Sequence, residues 1–303
     1  MPDEAVPLAG YLLAREVDGR PVDKASVERL ELADAAQRSA RTALPFGRGN
    51  VEADIRASKG ESEVRAAAAQ MLHQELVEMG FQRGRDPAAS VYATAAMTAK
   101  AFGAGVCDNM AAIAALSYGD KAQAAGRPPE EQVRLVSHEA TSHAWAEVHA
   151  PGDDAPAIVM DPWRDGPAVF AADSRLVNET DQVVTRATFD LEGAAEAHEW
   201  ADEFSRGFKS STFDRLDRAE DLLNEMPPRS HPVPPPLLEE AFAGRVRESL
   251  DSADPRRQLL TELQAVGLAM SSGAEGVKNL SADAARIVKQ ANDLVEPPAA
   301  GNR

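Results

Sequence analysis

Apolar residues recur at helical spacing through residues 24 to 43, "KASVERLELADAAQRSARTA", and the pattern stops at "LPFGRGN", where Pro45, Gly47 and Gly49 break any helix. Two more helices are predicted, over residues 61 to 79, closed by Gly80, and over the alanine-rich residues 87 to 101, closed by "GAG". A fourth begins at Cys107 in "GVCDNMAAIAALSY" and runs to about Gly119. After Pro129 the period changes. "VRLVSHE", "HAWAEVHA" and "AIVMDPW" are short and alternating or β-branched, with "PGDDAP" between the last two, which reads as sheet. Helical pattern returns from Ala194 to Met226, "MPPRSHPVPPP" forms a stiff extended connector, two or three helices follow between about residues 237 and 294, and "EPPAAGNR" is expected to fray.

This order predicts an α+β protein in which a helix carrying Cys107 packs on an antiparallel sheet, flanked by helical N-terminal and C-terminal segments. The corresponding division is an N-terminal helical segment (1–60), a core (61–190), a helical stretch packing on that core (191–226), the proline-rich linker (227–236) and C-terminal helices (237–296). At 303 residues the chain can bury a sizeable core, as one large domain or two ordinary ones. The formal charge of −17 gives a surface that repels phosphate backbones and anionic membranes, so nucleic acid is not an expected partner. No stretch is long and apolar enough to span a membrane, and the acidic N-terminus is unlike a secretory signal. One cysteine allows no internal disulfide, which suits a reducing cytosol.

That cysteine is the candidate nucleophile. A thiol in the first turn of a helix is expected to ionise more readily, because free backbone N–H groups favour the thiolate. Gly105 would let the chain turn tightly into the helix, and Ala111, four residues beyond Cys107, offers a small side chain beneath the thiol. A thiolate also needs an imidazole to protonate the leaving group, and a third group to hold that imidazole. His143 opens the strand "HAWAEVHA", on which Trp145, Glu147 and His149 share its face. Asp161 follows the apolar residues of the next strand in "VMDPW", so a hairpin through Gly152 would bring carboxylate and imidazole together. Pro162 would end that strand and Trp163 could cover the site.

The order Cys, His, Asp, with G-x-C at a helix start, H-A-W-x-E-V on one strand and D-P-W at the end of the next, resembles the transglutaminase-like superfamily of papain-type thiol enzymes. The likeness covers roughly residues 90 to 175. It implies Cys107 as nucleophile, His143 as base and Asp161 as orienting acid, acting on protein or peptide amides through a thioester, as deamidase, transglutaminase or protease. Trp145, Trp163 and Tyr92 are the side chains it suggests for substrate contact. A second oxyanion donor beside the Cys107 N–H could come from Asn50, Tyr92 or Gln70, and the sequence does not choose. Within the superfamily the chain is most similar to the AvrPphE/HopX group of bacterial effectors, through its helical N-terminus and the "DPWRDGPAVF" continuation. That finer likeness implies injection into a host cell and a host protein target.

Blander readings stand beside these. A lone cysteine often fills a core, and core packing is as good a reading of Trp145 and Trp163 as substrate contact. His138 falls in "SHEATSH", read as a solvated loop, and His149 lies about 20 Å along the strand from His143, at its surface end. "HEATSH" spaces its histidines by five rather than the four of H-E-x-x-H, so neither a metal nor another cofactor is expected. Asp108 reads as a stabilising acid of the first helical turn. The alternative to an enzyme is an inactive scaffold that binds proteins, for which an uncovered apolar patch on the C-terminal helices would be the sign.

Overall fold

The computed structural model describes residues 1–81, 87–152, 155–176, 182–208, 212–227, 231, 233–272 and 277–296. Three expectations fall partly outside these residues: the centre of the "PGDDAP" turn, most of the proline-rich linker up to 232, and the frayed end from 297. In chain order the elements are α1 (Val6–Val17), α2 (Lys24–Ala43), β1 (Gly47–Arg48), α3 (Glu52–Ala57), α4 (Glu61–Glu78), α5 (Pro87–Phe102), β2 (Ala104–Gly105) and α6 (Cys107–Ala124). There follow β3 (Gln132–His138), β4 (His143–His149), β5 (Ile158–Met160), β6 (Val169–Phe170) and β7 (Val183–Asp190). The remainder is helical, with α7 (Leu191–Gly207), α8 (Thr212–Glu225), α9 (Glu240–Leu250), α10 (Pro255–Ser271) and α11 (Val277–Val295). The protein is thus α+β. Among the described residues no helix is long and apolar enough to cross a membrane.

The chain forms two compact units that interleave in sequence, so the linear division drawn from composition does not coincide with them: residues 32–163 with 179–234, and residues 1–31, 164–178 and 235–303. In the first unit the strands run in the order β5–β4–β3–β7, all neighbours antiparallel. Strand β4 pairs with β3 along its whole length, from Gln132 opposite His149 to His138 opposite His143. On its other side Ala146, Glu147 and Val148 face Met160, Val159 and Ile158, the expected hairpin. Strand β7 escapes the alternation signal because only Ala187 and Phe189 of its eight residues are buried, while its outer positions mix valine, threonine and arginine.

Helix α6 is apolar around nearly its whole circumference, from Met110 to Tyr118, which fits an element enclosed by sheet and helices alike. It packs against β4 on one side and α5 and α7 on others. Its alanines and Gly119 permit that closeness, since a Cβ on Gly119 would lie 2.3 Å from the Ala194 Cβ of α7. The same logic operates in the second unit, where α1 lies in the expected N-terminal helical segment, although its bounds were not drawn from the sequence. There Gly10 faces α11, and a Cβ would come within 2.7 Å of the Gln290 Cγ. Ala9 and Leu13 of α1 share a core with Ala265, Ala269, Ala284, Ile287 and Ala291. Buried Asp173 is held by Tyr11 at 2.6 Å, Arg15 at 2.5 Å and Arg20 at 2.7 Å.

One further contact positions the site. The two-residue strands β1 and β2 pair in parallel, Gly47 with Ala104 and Arg48 with Gly105. Gly49 extends the bridge by donating its N–H to the Gly105 carbonyl at 3.0 Å. A Cβ on Gly49 would stand 2.2 Å from the Ala66 Cβ and 2.6 Å from the Ser62 carbonyl oxygen of α4. Gly49→Ala is therefore expected to cost about 1–3 kcal/mol by overpacking. Urea unfolding of the variant checks this; an unchanged midpoint would mean the bridge can shift away from α4.

Candidate active site

The site assembles where β1, β2, α6 and the start of β4 meet. Its cysteine is fixed by the helix start: the Asn109 side chain accepts the Val106 N–H at 3.0 Å and donates to the Ala95 carbonyl of α5, also at 3.0 Å. Gly105 serves this turn by leaving space rather than by bending the chain. Its backbone is of ordinary sign, whereas an added Cβ would sit 2.8 Å from the Asn109 Cβ. Cys107 is buried. Its thiol donates to the Ser142 carbonyl at 3.8 Å and receives the Ala144 N–H, so the sulfur is bracketed by both chain neighbours of His143. Ser142 holds a left-handed backbone, φ 49°, which a side chain beyond glycine adopts only under constraint. The turn before it is closed by His138, whose Nδ1 accepts the Thr141 N–H at 3.3 Å.

His143 and Asp161 meet as the hairpin predicts. Continuing the register of β4 and β5 sets Asp161 opposite Trp145 and diagonal to His143, on the same face. The His143 Nε2 lies 2.7 Å from the Asp161 Oδ2, with both side chains buried. That contact leaves Nδ1 as the ring nitrogen available for other partners. Trp145 stacks beside the imidazole at 6.0 Å between centroids and Trp163 lies at 4.9 Å.

A set of residues that the sequence did not single out holds the "DPW" segment. Gln37 of α2 accepts the Asp161 N–H at 2.8 Å, Arg41 donates to the Pro162 carbonyl at 3.2 Å, and Arg48 donates to the Trp163 carbonyl at 2.7 Å. The Trp163 indole N–H in turn bonds the Asn50 Oδ1 at 2.9 Å. This bond decides how the Asn50 amide faces, because its oxygen is engaged and its NH2 group is the end left to donate. No signal in the chain marks Gln37 or Arg41, which look like ordinary residues of an amphipathic helix.

A cleft of about 330 Å³ opens over Cys107, lined among others by Asn50, Gln70, Glu63, Asp108 and Ser142. Of the three side chains suggested as oxyanion donors, Asn50 and Gln70 line it and Tyr92 does not. Tyr92 is half-buried on α5, where burial first and then the Asp108 carboxylate raise its hydroxyl above the usual range. Trp145 is fully buried, with its indole N–H donated to Glu147 at 2.8 Å, so it supports the imidazole and has no surface to offer a substrate. Trp163 is likewise buried and tied to Asn50, which makes it a cover. His138 is not the solvated loop residue expected: it ends β3 and is 4% exposed. His149 ends β4, partly exposed and 2.9 Å from Glu147.

The thiol's ionisation also departs from expectation. Burial foremost, then the neighbouring Asp108 carboxylate, push Cys107 up to about 12, against the lowering effect of the Ala144 and Asp108 N–H groups. The magnitudes explain the outcome. Burial withdraws the full charge of a thiolate from water, whereas a helix N-terminus contributes only about 0.3–2 kcal/mol the other way. Asp108 is exposed at the cleft mouth, yet the protein around it raises its own carboxyl, offset in part by His143, Arg186 and His73. Its role therefore reaches past helix stabilisation.

Asp108→Asn removes a charge that favours the neutral thiol, so the pH midpoint for alkylation of Cys107 by iodoacetamide should fall. At any pH below that midpoint the rate should rise several-fold, and a midpoint that stays or climbs would contradict the assignment. Compared with family models, curated proteins and solved structures, the chain matches none.

Proposed function

We propose that this protein is a cysteine-dependent acyl-transfer enzyme acting on amide bonds of proteins or peptides, with the nucleophile helix and antiparallel sheet serving as a papain/transglutaminase-like core. The reading is supported chiefly by the buried pair of His143 and Asp161 at 2.7 Å, with the Cys107 sulfur seated between the backbones of Ser142 and Ala144. Because the resting thiol is neutral, activation runs through general base catalysis rather than a standing thiolate. As sulfur attacks the carbonyl carbon, its proton passes to the free nitrogen of His143. Asp161 holds the other nitrogen and stabilises the imidazolium. The oxyanion is met by the Cys107 N–H and the Asn50 amide. His143 then gives its proton to the departing amine, leaving a thioester. Water, deprotonated by the same imidazole, attacks that thioester, and the sulfur leaves with the proton; an amine in place of water would yield a new amide. The effector likeness adds a host protein target in a reducing cytosol to this proposal.

A non-catalytic protein-binding scaffold is the second reading, favoured by the uncovered apolar residues of α10, where Leu259, Leu260, Leu263 and Met270 are all more than half exposed. Activity separates the two. Incubation with casein, followed by ammonia release and intact mass, is expected to register amide hydrolysis that Cys107→Ala abolishes. Full activity in that variant would sink the enzyme reading. Asn50→Ala should lower kcat by about 10²–10³ while leaving the alkylation midpoint of Cys107 in place. An unaltered kcat would exclude Asn50 as an oxyanion donor.

A further inference from the structure

We propose that the cleft over Cys107 selects substrates carrying a positive charge beside the reacting carbonyl, with Asp108 and Glu63 as the residues that read it; this rests on the acyl-transfer reading of the same site. The two carboxylates come from different helices, Asp108 from the first turn of α6 and Glu63 from the first turn of α4, and both line the space above the sulfur. Among the described residues lining that space there is neither lysine nor arginine. The same lining includes the aliphatic side chains of Ala66, Ala67 and Leu223. A lysine or arginine suits such a lining, since its methylene stem lies along apolar surface while its head seeks a carboxylate.

The cationic groups nearby do not cancel this field. Arg186, the guanidinium that acts on Asp108, is engaged with Ser137 at 2.7 Å and Glu139 at 3.5 Å. Burial lowers the His73 imidazole below its usual value and so disfavours its charged form, against the opposing pull of Asp108. His231 stands 3.5 Å from Glu63 at the cleft wall and is the group a substrate cation would displace or join. The net charge of −17 adds a long-range attraction for cations. A bound cation has a second consequence. By screening Asp108 it removes part of the charge that keeps Cys107 protonated, so a matching substrate would help to activate the nucleophile it meets.

Charge selection can be read without turnover, using methanethiosulfonates that carry 2-aminoethyl, ethyl or 2-sulfonatoethyl groups. The Cys107 sulfur attacks the sulfenyl sulfur, a disulfide forms, the bond to the sulfonyl sulfur breaks, methanesulfinate leaves and the thiol proton goes to buffer. Each rate is divided by that of 2-mercaptoethanol with the same reagent, and the ratio between reagents cancels the thiolate fraction. The ammonium reagent should outpace the sulfonate by about tenfold or more, with the ethyl reagent between them. That preference should shrink as salt is raised and vanish in Asp108→Asn/Glu63→Gln. A ratio near one in the native protein, or one that ignores salt or survives the double substitution, overturns the proposal. The salt series on the native protein decides the matter even where the variant does not fold. Absence of casein hydrolysis alongside a strong reagent preference would refute the acyl-transfer reading alone, whereas an active enzyme with no preference would refute the charge selection alone.

Discussion

Arg48 is the residue through which the three parts of the site are held together. Its backbone pairs with Gly105, two residues before the cysteine, while its guanidinium binds Asp54 through two nitrogens at 2.8 Å and the Trp163 carbonyl at 2.7 Å. The Arg48 N–H also bonds the same carboxylate at 2.8 Å. A guanidinium in this position has a planar fork that satisfies a carboxylate and a carbonyl together, which a lysine ammonium could not match. Since Asn50 follows two residues later and receives the Trp163 indole, the loop is pinned to the "DPW" segment at both its backbone and its side chain. Asp161, two residues before Trp163, is thereby held from outside the sheet as well as from within it.

The surroundings of the cysteine show how competing electrostatic effects resolve. A helix N-terminus, the Ala144 N–H and the Asp108 N–H all favour negative charge on sulfur, but each is a partial dipole. Removal of the thiol from water opposes them more strongly, and a full carboxylate one residue away adds to that opposition. The neutral thiol is consequently the favoured form, and it resists stray oxidation because the thiolate is the reactive species. The cleft mouth, where Asp108 meets solvent, is the place where an incoming group would alter this balance.

Much of the fold was legible along the chain. The helices α2, α4 and α5 and the strands β3, β4 and β5 fall within a few residues of their predicted spans, because each carries its own period, stop signal or alternation. The bounds of helix α1, within the expected N-terminal helical segment, and strand β7 were not drawn from the sequence. The first is buried on most sides and so shows no clear polar face, and the second is an edge strand with two inward residues. The interleaving of the two compact units was equally hidden, since nothing local records which distant segments share a core.

For the candidate site the sequence alone determined the residue types and the elements that carry them: a cysteine at a helix start, a histidine at a strand start and an aspartate at a strand end. The approach of His143 to Asp161 follows from strand pairing, which is a matter of period and turn, and was therefore readable in advance. Only the tertiary structure decided the rest. It set the ionisation of Cys107, placed Asn50 and Gln70 but not Tyr92 at the cleft, buried Trp145 and brought Glu63 into the same cleft lining as Asp108. Each of these depends on how much water is excluded and on which side chains converge from remote parts of the chain. Desolvation and through-space charge have no signature in local sequence.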